Sequence, residues 1–291
     1  GEEMLIAAYT ISFLGMIVLP IILWVYFTRK FALSWKLVLA GGLTFIASQI
    51  LHIPLVLAMG SFLQSISLLF NAIILGLLAG IFEETARYIL FKFIIKKSRS
   101  WKEGVLVGLG HGGTEAVILG IFAALAFVNM IIYKNIDLST VPSIPADQLE
   151  LAKQQVAAYW SAPWYMALMG FVERIFAITL HVSLSVMVLY AIVYRKPIWF
   201  WLALLWHALV DAVAVYVGQE VGILAVEGIV AVFAIISLWI VFKMRSMFSN
   251  DTFNISEQEA TPISGWLEEV IDKAKDISRY KYSKQFGKNR T

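Results

Sequence analysis

The sequence predicts an all-α membrane protein built as a polytopic bundle of about seven transmembrane helices. First, 60% of the 291 residues are hydrophobic and only 15% are charged, whereas soluble domains average about half apolar and about a quarter charged residues. Second, the apolar residues form long runs separated by short polar clusters, which is typical of membrane-spanning helices. Third, Lys and Arg concentrate in alternate clusters, as expected of a chain that crosses a membrane repeatedly.

Seven apolar runs are long enough to cross a hydrocarbon core of about 30 Å at about 1.5 Å per helical residue. The first is too long for the apolar part of a signal peptide, so it is predicted to span the membrane. The third to fifth exceed the required length, which favours tilt or ends that project into the headgroup layer. The predicted spans are 4–28, 37–59, 65–95, 104–133, 164–194, 198–217 and 221–242.

The basic residues predict which end of each span faces the cytoplasm. They follow the first, third, fifth and seventh spans, and the intervening loops contain few of them. Because cytoplasmic loops carry an excess of Lys and Arg, the N-terminus is predicted outside and the C-terminus inside. The residues that carry this pattern are Arg29, Lys30, Lys36, Lys96, Lys97, Arg99, Lys102, Arg195, Lys196, Lys243 and Arg245.

Two polar segments accompany the spans. Residues 1–245 are predicted to form the transmembrane domain, with the site in about 80–215, and residues 246–291 a cytoplasmic tail with an amphipathic helix. The tail helix either lies on anionic lipid or is solvated. Residues 134–163 form an outer loop, predicted as either an interfacial helix or a polar linker. The sequence has no cysteine, which excludes disulfides and thiolate chemistry, and the location of the basic residues explains the charge without a nucleic-acid partner.

Ionisable residues inside the spans are the candidate functional residues, because a charge at the middle of a membrane costs at least a few kcal/mol. Counted from the predicted cytoplasmic ends, six of them lie about 8 to 14 residues deep, or roughly 12–21 Å. They belong to four different spans, so we expect them to meet in one layer. These residues are Glu84, His111, Glu115, His181, His207 and Asp211.

The third span carries the sequence EETAR, in which Arg87 follows Glu84 by three positions and Glu83 by four. Residues at these spacings are neighbours on a helix surface. Arg87 is therefore predicted to neutralise one glutamate while the other faces a cavity. The same spacing argument places His111 with Glu115 on one helix face.

Peptide hydrolysis needs a base that activates water and a group that stabilises the oxyanion. Glu83 or Glu84, together with His111, is a candidate for activating the water. His207, oriented by Asp211 one helical turn away, is a candidate for facing the oxyanion. No serine is obviously paired with a base, so the pattern favours water as the nucleophile.

The same residues are candidate ligands for Zn²⁺. His111, His181 and His207 provide three imidazoles, the number of protein ligands typical of catalytic zinc, and Glu115 or Asp211 would be a fourth or an outer ligand. The sequence contains no HExxH motif. A zinc-bound water and a glutamate-activated water without metal therefore both stay open.

Four ordered motifs in consecutive spans resemble the YhfC group of bacterial intramembrane peptidases. They are EExxR, HGxxE, ER…AxxxH and HxxxD, within residues 80–215. That group is similar to the superfamily of the CAAX-processing endoprotease, the bacteriocin-immunity-type membrane proteases and PrsW. The resemblance implies an integral protein of the bacterial cell membrane that hydrolyses peptide bonds within or beside the membrane. It also implies that the family's motif residues correspond to Glu83, Glu84, His111, His181, His207 and Asp211.

The chain departs from the CAAX-processing enzyme in two places. Two residues rather than three separate Glu84 from Arg87, and the last motif ends in Asp211 rather than Asn. Prenylated substrates are therefore not expected. The predicted substrate is a membrane-associated peptide or protein, and the site is expected to open toward the cytoplasmic half.

Two other functions fit the same pattern. A non-catalytic scaffold or partner subunit is possible within the superfamily, because the seven-span subunit of gamma-secretase is a distant relative that is not the protease. Retention of both glutamates, Glu83 and Glu84, favours catalysis over this alternative. A transporter or proton relay is less favoured, because the sequence has no repeated halves and no paired broken helices. The sequence predicts neither the substrate nor the oligomeric state.

Overall fold

Ten α-helices follow one another along residues 1–248, the part of the chain that this computed structural model describes. The long helices are α1 (Glu2–Phe31), α2 (Lys36–Ala58), α4 (Leu68–Ile89), α5 (Trp101–Asn135), α8 (Met169–Val193), α9 (Ile198–Glu220) and α10 (Ile223–Met247). The short ones are α3 (Gly60–Ser65), α6 (Leu149–Ser161) and α7 (Trp164–Ala167), and a π-helical turn, Leu90–Ile94, extends α4. Residues 1–248 contain no β-strand, so the all-α prediction is confirmed.

Seven helical segments are long and apolar enough to cross a membrane, as the sequence predicts. They are Glu2–Phe31, Lys36–Ala58, Leu68–Ile94, Trp101–Asn135, Trp164–Val193, Ile198–Glu220 and Ile223–Met247. The protein is therefore an integral membrane protein. A helix in the outer loop is confirmed as α6, whereas the orientation of the termini stays a prediction and the tail from residue 249 onward lies outside the described residues.

The two ends of the bundle differ in their loops and are named here for that difference. The basic end carries the short connections 32–35, 95–100 and 194–197, next to most of the Lys and Arg residues within 1–248. The loop end carries residue 1 and the connections 59–67, 136–163 and 221–222. At the basic end a capping box starts α5: the Ser100 side chain accepts from the Glu103 amide, and the Glu103 carboxylate accepts from the Ser100 amide. This reciprocal pair satisfies two backbone donors that a helix start otherwise leaves free.

Helix α8 is the centre of the bundle. The span that contains it has 72% of its most apolar stretch buried, against 17–33% for the other six spans. It packs against α5, α9 and α10, while α4 packs chiefly against α9, and α5 also against α1 and α2. A central helix with this many neighbours brings side chains from several helices together at one depth.

Glycines allow α2 and α5 to touch through their backbones. A Cβ atom on Gly41 would lie 2.1 Å from the Val107 carbonyl oxygen, and one on Gly110 would lie 2.0 Å from that of Val38. Such distances are far below van der Waals contact, so only glycine permits this crossing. The contact holds the next residue, His111, in the bundle interior, where it is fully buried.

Candidate functional site

Polar side chains from α2, α4, α5, α8 and α9 form one connected cluster, here called the His–Glu cluster. Its ring centroids are close, with His111 4.7 Å from His181 and His181 5.3 Å from His207. The layer predicted by counting residues from the helix ends therefore forms in three dimensions. Its members are Gln49, Glu83, Glu84, Arg87, His111, Glu115, Arg174, His181, His207 and Asp211.

Glu83 lies at the centre of the cluster and uses its two oxygens differently. Oε2 accepts a hydrogen bond from Nε2 of His111 at 3.0 Å and lies 3.9 Å from Nε2 of His207. Oε1 accepts from Nε2 of Gln49 at 3.0 Å. The Gln49 bond holds one oxygen toward α2, so the other is directed toward the histidines.

Glu84 is buried behind Glu83 and is committed to two partners. Arg87 pairs with its carboxylate from one turn along the same helix, and both side chains are fully buried. Nδ1 of His207 donates to Oε1 of Glu84 at 2.8 Å. The prediction that Arg87 neutralises one glutamate while the other faces a cavity holds in the structure: Glu84 is neutralised and Glu83 lines the cavity.

Glu84 also orients His207, a role that the sequence analysis gave to Asp211. Asp211 Oδ2 lies 3.5 Å from Nε2 of His207, at the limit of a hydrogen bond, whereas the Glu84 contact is short. The sequence analysis did not include the Glu84 contact, because helical spacing places two side chains on one face but leaves out partners from a neighbouring helix. Nδ1 of His207 is thus engaged by Glu84, and Nε2 is the ring nitrogen that faces Glu83 and Asp211.

His181 is held between a donor and an acceptor. A terminal nitrogen of Arg87 lies 3.2 Å from Nδ1, and Nε2 lies 2.7 Å from Oε2 of Glu115. Because a guanidinium can only donate, Nδ1 must accept, and Nε2 of the neutral ring then carries the proton that Glu115 accepts.

Arg174 extends the cluster toward the loop end. It donates to Glu115 and to Glu173, each at 2.5 Å. Glu115 thus links Arg174 to His181. The sequence analysis proposed no site role for Arg174. The ER…AxxxH motif was the available signal, because its arginine lies seven positions, or two helical turns, before the histidine.

Gln49 is the other member that the sequence analysis left outside the site. Besides its bond to Glu83, its Oε1 accepts from Nδ1 of His52 at 3.1 Å, and the His52 ring stacks on Phe82 at 5.5 Å. Interhelical bonding by Gln49 was predictable from its place in an apolar span. Its partner was not, because Glu83 belongs to a different helix.

A cavity of about 90 Å³ adjoins the cluster between α8, α9 and α10. Its charged part is formed by Glu83, Glu115, Glu173, Arg174, His181, His207 and Asp211. Its apolar wall includes Phe176, Ala177, Leu180, Val210, Ala214, Val230, Phe233 and Ala234. Glu84 and His111, both candidates for activating the water, are fully buried and do not line this cavity.

The cavity lies on the loop-end side of the cluster. On α8 its lining starts at Glu173, near the loop end, and stops at His181, while on α9 it runs from His207 to Ala214, away from the basic end. The sequence analysis expected the site to open toward the cytoplasmic half, which the predicted topology assigns to the basic end. The cavity extends the opposite way, because the basic-end half of α8 is sealed by packing.

Three side chains of the cluster meet the distance requirement for a shared metal ion. One ligand atom each from Glu83, His181 and His207 lies within 4.8 Å of the other two. This differs from the set of three histidines expected from the sequence. Among residues 1–248, His111 and Glu115 are not part of this group, although each contacts one of its members.

The donor types of this group suit zinc. Two imidazoles and one carboxylate are a common set of protein ligands in catalytic zinc sites. The Glu84–His207 bond also has the form seen at such sites, where a carboxylate accepts the second ring N–H of a ligating histidine and fixes its tautomer. The donor types and the Glu84–His207 contact therefore fit a metal centre, whereas the second ring nitrogen of His181 faces the Arg87 guanidinium rather than a carboxylate.

Comparison with known proteins gives two matches. The chain matches the family described as YhfC intramembrane metalloprotease over residues 15–234. It is 34% identical over 245 residues to the uncharacterized membrane protein YhfC of Bacillus subtilis strain 168, covering 79% of this chain and 92% of the relative. No solved structure matches it.

The family match covers helices α2 to α9 in full, together with most of α1 and about half of α10. It therefore includes every residue of the His–Glu cluster and the whole lining of the cavity. The alignment with the Bacillus subtilis protein also covers most of the chain. The chain belongs to the YhfC intramembrane metalloprotease family.

Proposed function

We propose that the protein is an intramembrane peptidase that hydrolyses peptide bonds of membrane-associated substrates with an activated water. The observation that carries the proposal is the placement of two carboxylates, Glu83 and Asp211, beside His181 and His207 in one cavity among the candidate membrane spans. Ionisable groups inside membrane spans mark functional sites, because their burial in hydrocarbon is costly. The family description supports the same class of reaction.

A metal ion would be held by Glu83, His181 and His207, and when bound it supplies a Lewis acid that polarises water and the substrate carbonyl. Glu84 keeps the proton of His207 on Nδ1, so Nε2 is free to act as a ligand. Arg87 balances the charge of Glu84, which leaves Glu83 as the anionic carboxylate at the cavity floor.

Asp211 is the residue best placed to take the proton of the attacking water. Its side chain lines the cavity and is 38% exposed, so water can reach it. Glu84, by contrast, is fully buried and bonded to Arg87 and His207, which removes it as the base. Protonation of the leaving amine would then be the return of the proton that Asp211 had accepted.

His111 acts on Glu83 rather than on the substrate. It is fully buried and donates to Oε2. Its Nδ1 has no hydrogen-bond partner within the described part of the chain, consistent with a neutral ring whose only proton is on Nε2. His111 thereby fixes the direction of the Glu83 carboxylate.

The proposal is tested by comparing four forms of the full chain in a bacterial host: wild type, His207→Ala, Asp211→Asn and Glu150→Gln. The last is a control, because Glu150 lies on α6, and its side chain is 78% exposed. New protein N-termini in the membrane fraction are mapped by mass spectrometry, and the zinc content of each purified form is measured.

We expect new N-termini with wild type and Glu150→Gln and their loss in both site variants. Zinc should fall in His207→Ala and stay in Asp211→Asn, because Asp211 is assigned to the proton and not to the metal. New N-termini that are the same in all four forms, or in none above the level of cells lacking the protein, would refute the peptidase proposal.

A further inference from the structure

The two sides of the His–Glu cluster differ in what a water molecule would meet. Toward the basic end, every residue of α8 from Leu180 to Ala191 is buried. The side chains packed there include Phe91, Leu106 and Leu184, all with no exposed surface. Beyond His181, only Ser183, Ser185 and Tyr190 carry polar side-chain atoms in this stretch, and packing this close leaves no path for water.

Toward the loop end, the cavity reaches the surface of the bundle. Glu173 lines it, and the Glu173 side chain is 45% exposed. Asp211, at the inner part of the same cavity, is 38% exposed. A continuous space therefore joins an exposed carboxylate near the end of α8 to a carboxylate beside the candidate metal ligands.

Three helices each contribute one small side chain to the wall of this space. Ala177, Ala214 and Ala234 supply one small residue from each of α8, α9 and α10. A cavity of about 90 Å³ has room for several waters.

Glu227 provides an independent sign of water at the rim. It precedes Val230 and Ala234 by three and seven positions on α10, so it lies on the helix face that lines the cavity, one turn nearer the loop end. It is buried to 7% exposure, and its Oε2 has no hydrogen-bond partner in residues 1–248. A buried carboxyl without a partner is costly, and water in the cavity would remove that cost.

We propose that the space between α8, α9 and α10 is a hydrated entrance through which water and the scissile segment of the substrate reach the His–Glu cluster from the loop end. The substrate part of this proposal rests on the proposed peptidase function. Glu173, Arg174 and Glu227 form the polar rim, and the three alanines lie in the apolar wall. The basic end is closed.

The absence of cysteine from the sequence allows a direct test, because each introduced thiol is unique in the full chain. The probe is a positively charged, membrane-impermeant methanethiosulfonate, which reacts with ionised thiols and so requires a hydrated site. It is applied to intact cells and, separately, to inverted membrane vesicles. Ala214→Cys reports on the entrance.

Four control positions interpret the result. Ser143→Cys and Ser34→Cys are exposed reporters of the loop end and the basic end, so the test does not depend on the predicted topology. Ile235→Cys has a 68% exposed side chain on a span and faces lipid, while Val186→Cys lies in the sealed half with no exposed surface. Size-exclusion profiles show that each variant is folded.

We expect Ala214→Cys to be labelled only from the side that labels Ser143→Cys, and Ile235→Cys and Val186→Cys to stay unlabelled from both sides. Labelling of Ala214→Cys from the side of Ser34→Cys, from both sides, or from neither would overturn the proposal. Labelling needs no proteolysis, so a closed entrance together with active cleavage would reject this inference alone. An open entrance without cleavage would reject the peptidase function alone.

Discussion

The two halves of the bundle on either side of the His–Glu cluster are built on different principles. The half near the basic end is apolar and close-packed, with helices that touch through glycine. The half near the loop end contains the cavity, the Arg174 ion pairs and the unpaired oxygen of Glu227. The cluster lies at the boundary between them.

The difference shows that stability and access are assigned to separate regions along the membrane normal. The sealed half fixes the positions of α4, α5 and α8, from which Glu83, His111 and His181 project. The half near the loop end accommodates polar groups and a cavity because its side chains are less closely packed. Substitutions in the cluster and in the half near the basic end should therefore have large effects on stability, and substitutions at the rim should have small ones.

The largest contrast is expected between two glutamates that each pair with an arginine. Glu84→Ala leaves Arg87 charged and buried without its carboxylate, which should lower the free energy of unfolding by roughly 3–5 kcal/mol. Glu173→Ala should cost less than about 1 kcal/mol, because the Glu173 side chain is 45% exposed and Arg174 keeps Glu115. Unfolding in detergent, followed by loss of helical circular dichroism, measures both. Equal losses would contradict the division into two halves.

Two glycines, one in each half, should respond with opposite signs. Gly41→Ala forces a Cβ against the Val107 carbonyl and should destabilise the protein by roughly 1–3 kcal/mol as α2 and α5 separate. Gly228→Ala on α10 meets no atom within 4 Å and should stabilise it by up to about 1 kcal/mol, because alanine favours the helix. The same unfolding measurement applies. A tolerated Gly41→Ala would show that the α2–α5 contact is not tight.

The position of Gln49 predicts a moderate effect on the candidate metal centre. Gln49→Leu removes the hydrogen bond that holds Oε1 of Glu83, and loss of such outer contacts lowers metal affinity by about tenfold or more. Zinc affinity is measured by competition with a chelating dye. The control is Gln155→Leu on exposed α6, where no change is expected. Equal affinity in all three forms would remove Gln49 from the site.

The smallest contrast concerns two exposed serines at helix ends. Ser100→Ala breaks the capping box of α5 at the basic end and should cost about 1 kcal/mol of unfolding free energy. Ser161→Ala at the loop end removes only a 3.3 Å contact to the Ala158 carbonyl and should be close to neutral. Melting temperatures recorded side by side test the pair, and a reversed order would mean that the α5 cap contributes little.

Counting residues from the predicted ends of the spans correctly identified the depth of the cluster, because the rise of a helix is constant. It also identified the Glu84–Arg87 pair, which depends on spacing within one helix. It did not separate Glu83 from Glu84 as the cavity residue, nor find Glu84 as the partner of His207. Those contacts depend on the rotation of each helix about its axis, which hydropathy leaves undetermined where nearly every residue is apolar.

The direction of the opening was missed for a related reason. Helix α8 is apolar along its whole length, yet its two halves have different neighbours: close-packed side chains beyond Leu180 and a cavity between Glu173 and His181. A continuous apolar run gives no sign of that change. Burial on all sides becomes visible only when the other helices are in place.

The Glu84–Arg87 pair has a consequence for how the chain enters the membrane during synthesis. Helix α4 is made before α5, α8 and α9, and its two most deeply buried charges neutralise each other within the helix, which lowers the cost of insertion. Gln49, on the earlier helix α2, is already synthesised when Glu83 enters the membrane and can donate a hydrogen bond to it. The second partner of Glu83, His111, follows on the next helix, α5. Glu115 is the exception, since its partner Arg174 arrives one span later, and α5 must hold that carboxylate in the membrane until α8 joins it.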